Sequence, residues 1–168
     1  AAVKQPDCHV GRFFEGDPSN ILVLDRLQDP GNLGTIIRTA DAAGFRRILV
    51  MKGTADLFSP KTVRAAAGSL YRMKFAYGDE PQEVLSLLGS HGFQTVCTSP
   101  RAEINYFDAD ISRSTALIIG NEANGACDVF LQGADLLINI PMEGSIESLN
   151  AGTAASVIMY ESVRQRLR

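Results

Sequence analysis

Six short β-rich runs, at 21–24, 47–51, 74–77, 93–98, 115–119 and 136–140, alternate with stretches of helical periodicity, and this alternation constrains the fold more than any other feature of the chain. Strands separated by helices pair in parallel, because each helix returns the chain to the same end of the sheet and covers one face of it. The spacing predicts an α/β domain with a mostly parallel sheet and helices on both faces. Leu33, Ile36, Ile37, Ala40 and Ala43 form one stripe of a first helix, with Gly44 as its stop. Ser59-Pro60, and Asp79 with Pro81 nearby, mark the starts of the next two. The last helix reads from Ser148 to about Arg166. It opens with Ala151, Gly152, Ala154, Ala155 and Ser156, which would let another backbone approach closely, and its Arg164, Arg166 and Arg168 end suits the helix dipole. Pattern alone gives an unknotted doubly wound sheet, since threaded chains are rare.

A length of 168 residues with 45% apolar content fits one domain with a sizeable core. The net charge of −3 excludes a protein that coats nucleic acid through bulk charge, so RNA binding would need local basic patches or another domain. Cys8, Cys97 and Cys127 are odd in number and lack zinc-type spacing, which points to reduced thiols and to no metal site. No apolar run approaches the roughly 18 residues of a membrane span, and a signal-peptide layout is missing, so a cytoplasmic location is expected. Residues 1–20 mix Pro6, Gly11, Gly16, Asp17 and Pro18 with few periodic apolar positions and read as a linker or edge segment. They are expected to be a remnant of a longer N-terminal region, although processing of a short natural N-terminus would look the same.

The unusual polar chemistry sits at three strand-to-loop-to-helix junctions. Ile21 to Leu24 leads into Asp29-Pro30-Gly31-Asn32-Leu33-Gly34 and a helix carrying Arg38. Leu117-Ile118-Ile119 breaks into Gly120-Asn121-Glu122-Ala123-Asn124-Gly125. Ile140-Pro141-Met142-Glu143-Gly144 continues through Ser148-Leu149-Asn150 into the small-residue helix. Asn32-x-Gly34-x-x-x-Arg38, Gly120-Asn121-Glu122-x-x-Gly125 and Ile140-Pro141-Met142-x-Gly144-x-x-x-Ser148-Leu149-Asn150 resemble, in order and spacing, the three motifs of the SpoU (TrmH-like) family of RNA ribose 2′-O-methyltransferases, in the SPOUT class. The resemblance runs from about Ile21 to Glu161. It implies a C-terminal trefoil knot, a catalytic domain over residues 21–168, S-adenosyl-L-methionine as cofactor, RNA as substrate and a homodimer built on the first and last helices.

By the same resemblance, Thr98, Gly120, Asn121, Ile140, Met142 and Leu149 are carried over as cofactor-binding candidates, and Asn32, Arg38, Glu122, Ser148 and Asn150 as catalytic ones. Each has a plainer reading. The glycines could merely permit turns and Ile140 and Leu149 merely fill core. Arg38 could be a surface residue paired with Asp41 at i+3, although the Pro-Gly-Asn turn before it would present unpaired amides to a phosphate. Glu122 could be a loop carboxylate, Ser148 an N-cap, and Asn150 a first-turn polar residue. Because an Arg pKa lies above about 12, Arg38 is read as a holder of phosphate and 2′-oxygen, not as a base. Ribosomal RNA is the preferred substrate and transfer RNA the alternative. A fold-retaining RNA-binding protein without activity is a second alternative. A dinucleotide oxidoreductase is disfavoured because no G-x-G-x-x-G follows the first strand. Metal and triad chemistry are disfavoured separately, because His9 and His91, the only histidines, lack the companions for either.

Overall fold

A computed structural model describes residues 13–16 and 20–167. Seven strands form one sheet: β1 (Ile21–Leu24), β2 (Arg47–Met51), β3 (Lys74–Gly78), β4 (Gln94–Thr98), β5 (Ile104–Asn105), β6 (Thr115–Ile119) and β7 (Leu136–Asn139). Their spatial order is β3-β2-β1-β6-β4-β7-β5, and each pairing is parallel. β1, β2 and β6 are buried at every position, as apolar strands covered on both faces require. The helices are α1 (Pro30–Ala42), α2 (Pro60–Ala65), α3 (Pro81–Ser90), α4 (Asp128–Gly133) and α5 (Ala151–Arg166), with a 3₁₀ turn at Ser69–Arg72. Leu22, Leu24, Ile48, Val50 and Leu117 point into the core layer shared with α1, α5 and the β2–β3 connection. Their neighbours Ile21, Val23, Leu49 and Ile118 point to the opposite layer, with α3 and α4. Helices therefore cover both faces, as the alternation predicts.

The boundaries follow capping chemistry. Asp29 is the N-cap of α1, with Pro30 in the first turn, and α1 closes before Gly44 at φ +79°. Ser59 caps α2 as expected; α3 starts after Glu80, not Asp79. α5 begins at Ala151 and not at Ser148, because the Asn150 side chain accepts from the Gly152 and Thr153 amides. Strand ends shift by one residue at β3, β4 and β7. The two-residue β5 and the single-turn-scale α4 are too short to show a period in the sequence.

The small residues of α5 have an intramolecular purpose. Ala155 is fully buried, a Cβ on Gly152 would lie 3.3 Å from Thr35 Cγ2, and Ser156 Oγ donates to Thr39 Oγ1 at 3.1 Å. They seat α5 against α1 of the same chain, so a bulky residue at Ala155 would disturb this packing before any contact between copies. On its other flank α5 is hydrogen-bonded to the β5–β6 connection, Gln165 Nε2 donating to Ala109 O and Gln165 Oε1 accepting from Ile111 N. Most of segment 1–20, with Cys8 and His9, lies outside the described residues; within them Phe13 is buried and Phe14 stacks on His91. Cys97 and Cys127 are free thiols, and burial pushes Cys97 up to about 12. Among the described residues, no helix is long and apolar enough to cross a membrane.

Candidate active site

Since the sheet is parallel, every strand's C-terminal end opens on the same edge, where open α/β sheets bind ligands. The order β1-β6-β4-β7 sets the loops after these four strands side by side there. All three sequence motifs, and Thr98 at the end of β4, meet on that edge.

Glu122 connects the first two motifs. Its Oε2 accepts from Gln28 N at 3.1 Å, and its Oε1 accepts from Asp29 N and Asn32 Nδ2, both at 3.1 Å. Asn32 Oδ1 in turn accepts from Asn150 Nδ2 at 2.8 Å, which brings in the third motif while Asn150 Oδ1 caps α5. Burial opposes the Glu122 charge, but the bonds from Asn32, Gln28 and Asp29 outweigh it and hold the carboxyl below the usual range. The carboxylate is ionised and its acceptor sites are largely taken by the first loop.

The loop after β6 is preformed. A Cβ on Gly120 would lie 2.0 Å from Ala126 N, so no other residue fits there without moving backbone. Asn121 and Gly125 exchange backbone hydrogen bonds of 3.0 and 2.8 Å, with Gly125 at φ +70°. Asn121 Oδ1 accepts from the amides of Ala123 and Asn124, and its Nδ2 donates to Arg26 O at 2.8 Å. Its side chain thus supports the loop from within.

That support rests on Asp25 and Arg26, which sequence reasoning missed. Asp25 is 2% exposed; its Oδ2 accepts from Cys127 N at 2.7 Å, and both carboxylate oxygens bind the Arg26 guanidinium. Arg26 sits at φ +58°, an uncommon left-handed conformation for a residue with a Cβ, and reaches Gly125 O. An aspartate closing a wholly apolar strand was the available signal, because a buried carboxylate requires partners.

The remaining candidates divide. Ile140 and Leu149 are half-buried, as is Met142, while Ser148 is exposed and makes no hydrogen bond among the described residues. Thr98 Oγ1 donates to Ile118 O, and Ser99 N donates to Ile138 O, tying the β4 loop to both neighbouring strands. Arg38 stands apart. It is exposed, six residues beyond Asn32 and so about 9 Å along the helix, in a groove with Thr35, Thr39, Ala42, Ala65 and Tyr160. Asp41 is not its partner, since Arg72 holds that carboxylate and keeps it below the usual range. The unpaired amides expected after Pro30 are also absent: Asp29 Oδ1 accepts from Gly31 N at 2.6 Å and Asn32 N at 2.9 Å. A phosphate would meet the Asp29 carboxylate there.

A parallel sheet with preformed loops at its C-terminal edge, joined by a Glu–Asn–Asn chain, defines the class as an α/β protein with a single composite ligand edge. The SpoU rRNA Methylase family model matches residues 19–160, and the chain belongs to that family. It is similar to the 23S rRNA (uridine(2479)-2'-O)-methyltransferase of Streptomyces viridochromogenes, 38% identical over 99% of this chain and 60% of that protein. It is also 38% identical to the 23S rRNA (guanosine(2553)-2'-O)-methyltransferase RlmP of Bacillus subtilis, over 91% of this chain and 61% of that one. The chain thus spans about three fifths of the length of these curated relatives. Among solved structures, the SpoU methyltransferase AviRb from Streptomyces viridochromogenes in complex with AdoMet superposes with a TM-score of 0.90 at 35% identity, over 98% of this chain and 67% of that one. An AdoMet-bound rRNA methyltransferase from Sinorhizobium meliloti gives 0.84 at 35%, over 90% and 59%.

Proposed function

We propose that this chain is the catalytic domain of an S-adenosylmethionine-dependent RNA 2′-O-ribose methyltransferase acting on ribosomal RNA. The observation that carries the reading is the Glu122–Asn32–Asn150 chain, which locks three motif loops together on the edge where such a sheet binds ligands. The relatives named as 23S rRNA methyltransferases favour ribosomal over transfer RNA.

The loops at Thr98, Gly120–Gly125 and Ile140–Leu149 suit an adenosyl cofactor, offering half-buried apolar side chains beside loop backbone that carries polar groups. Bound there, S-adenosylmethionine supplies a methyl group on a cationic sulfur. The ribose 2′-oxygen must lose its proton and be aligned with that methyl, with water kept out. Asn32 and Asn150 place the ribose, with Ser148 beside them on the third loop. Glu122 orders the first loop and is a poor base, because its proton affinity is held below the usual range and its oxygens are already engaged with three N–H donors. Arg38 holds an RNA phosphate and the developing alkoxide through its planar fork, and the phosphate or water takes the proton.

Arg38 lies outside the chain's own Asn32 network, so the reading includes a homodimer in which a second copy covers the Arg38–Tyr160 groove and completes the site. Incubating the protein with labelled S-adenosylmethionine and ribosomal RNA from a strain lacking the gene tests the activity. A mapped 2′-O-methyl group is the expected result; a chain that binds cofactor yet labels no RNA would overturn it.

A further inference from the structure

Charge is segregated in this chain. Residues 30–78 hold eight lysines and arginines against two aspartates, whereas the rest of the sequence holds eight against seventeen acidic residues. Of the eight, Arg47 is buried and the other seven are exposed. Both aspartates are engaged, Asp41 by Arg72 and Asp56 by the Phe58 amide.

Lys61 and Arg64 are exposed on α2, and the 3₁₀ turn that follows carries Tyr71, 63% exposed. This connection adjoins the candidate site. After the amides of Asn32 and Gly31, Lys61 also lowers the Asp29 pKa, so its charge acts at the loop that Glu122 holds. Ala65 beside Arg64 lines the Arg38 groove. The exposed large apolar side chains within 30–78 are Tyr71 and Tyr77, rings without an aliphatic companion, which suits base stacking and not insertion into lipid.

Resting on the methyltransferase reading, we infer that Lys61, Arg64 and Tyr71 form a docking surface for single-stranded RNA flanking the methylated nucleotide. Lys61 and Arg64 take phosphates, and Tyr71 stacks a base. Cations that track a backbone beside an open aromatic face are what binding of a single strand requires.

The test is fluorescence anisotropy with labelled oligouridylate over a range of salt concentrations, with calorimetric S-adenosylmethionine binding alongside. Lys61→Gln and Arg64→Gln should each weaken RNA binding and reduce the salt slope by about 0.7, the value for one single-strand phosphate contact. Tyr71→Ala should weaken it about fivefold or more, the scale of one lost base stack. Arg113→Gln removes the same charge from an exposed position in the acidic part of the chain and should change neither quantity. Cofactor affinity should be unaltered throughout. Equal effects from Arg113→Gln, or tighter binding of a mixed-sequence RNA duplex with Tyr71→Ala silent, would overturn the surface. If the unaltered chain binds cofactor but neither RNA, the surface is refuted while the cofactor reading stands; binding RNA here without cofactor would refute the methyltransferase reading alone.

Discussion

Glu122 has its negative charge committed to three N–H donors of the first loop, and Arg38, the proposed catalytic cation, is the group whose loss should cost turnover and little else. The Arg38 side chain is exposed and makes no hydrogen bond among the described residues, so Arg38→Ala should leave folding and cofactor affinity nearly unchanged. Methyl transfer should fall by about a hundredfold or more, the scale of losing a positioned charge-stabilising donor. Arg38→Lys should restore only part, because it keeps the charge and loses the planar fork. Single-turnover kinetics with calorimetric binding separates the two effects, and normal turnover for Arg38→Ala at saturating RNA would reject the assignment. Gly120→Val should behave in the opposite way. Its side chain has to displace the backbone of residues 125–126, so cofactor binding should be lost first, with a stability loss of about 1–3 kcal/mol measured by denaturant unfolding.

At the scale of elements, Asn150 joins a helix end to the ligand edge. One oxygen caps α5 and the amide nitrogen reaches Asn32, so the side chain fixes both the helix start and the distance between the first and third loops. Asn150→Ala should cost about 1 kcal/mol through the cap alone. Asn150→Asp keeps an acceptor for the cap but cannot donate to Asn32. It should therefore retain most of the thermal stability while raising the KM for RNA, and a melting curve beside steady-state kinetics distinguishes the two roles. Equal loss of stability in both variants would show that the Asn32 bond, not the cap, carries the energy.

Across the whole molecule, acid should act through several carboxylates at once. Asp29, held by the Asn32 and Gly31 amides, and Asp41, held by Arg72, are depressed, as is Glu122 despite partial desolvation. A carboxyl whose folded pKa lies below its unfolded one stabilises fully above the unfolded value and loses that contribution as pH falls through the folded value. Urea midpoints should therefore hold above the ordinary Glu value of 4.5 and decline progressively below it. Asn32→Ala should make Glu122's share of that decline smaller. The proposed homodimer makes a second demand at this scale: Tyr160, 52% exposed in the Arg38 groove, should be covered by a second copy. Tyr160→Glu should give a monomer by light scattering with an unchanged circular dichroism spectrum, and should abolish methyl transfer if the partner completes the site.

The layers of the fold were legible because a strand buried on both faces has to be apolar throughout, and a crossover helix has to carry a stripe such as Leu33, Ile36, Ile37 and Ala40. The loops of the candidate site were legible for the related reason that glycines and polar side chains at strand ends have no place in a ladder. Local chemistry of this kind is written in neighbouring residues. What only the tertiary structure decided depends on partners far apart in the chain. Asn32 bonds Glu122 ninety positions away, and Asn150 reaches Asn32 across 118. Arg72, and not Arg38, takes Asp41 across 31 positions, and the small face of α5 is spent on α1 of the same chain. A sequence records which groups need partners, while the path of the chain in three dimensions decides which partner arrives first.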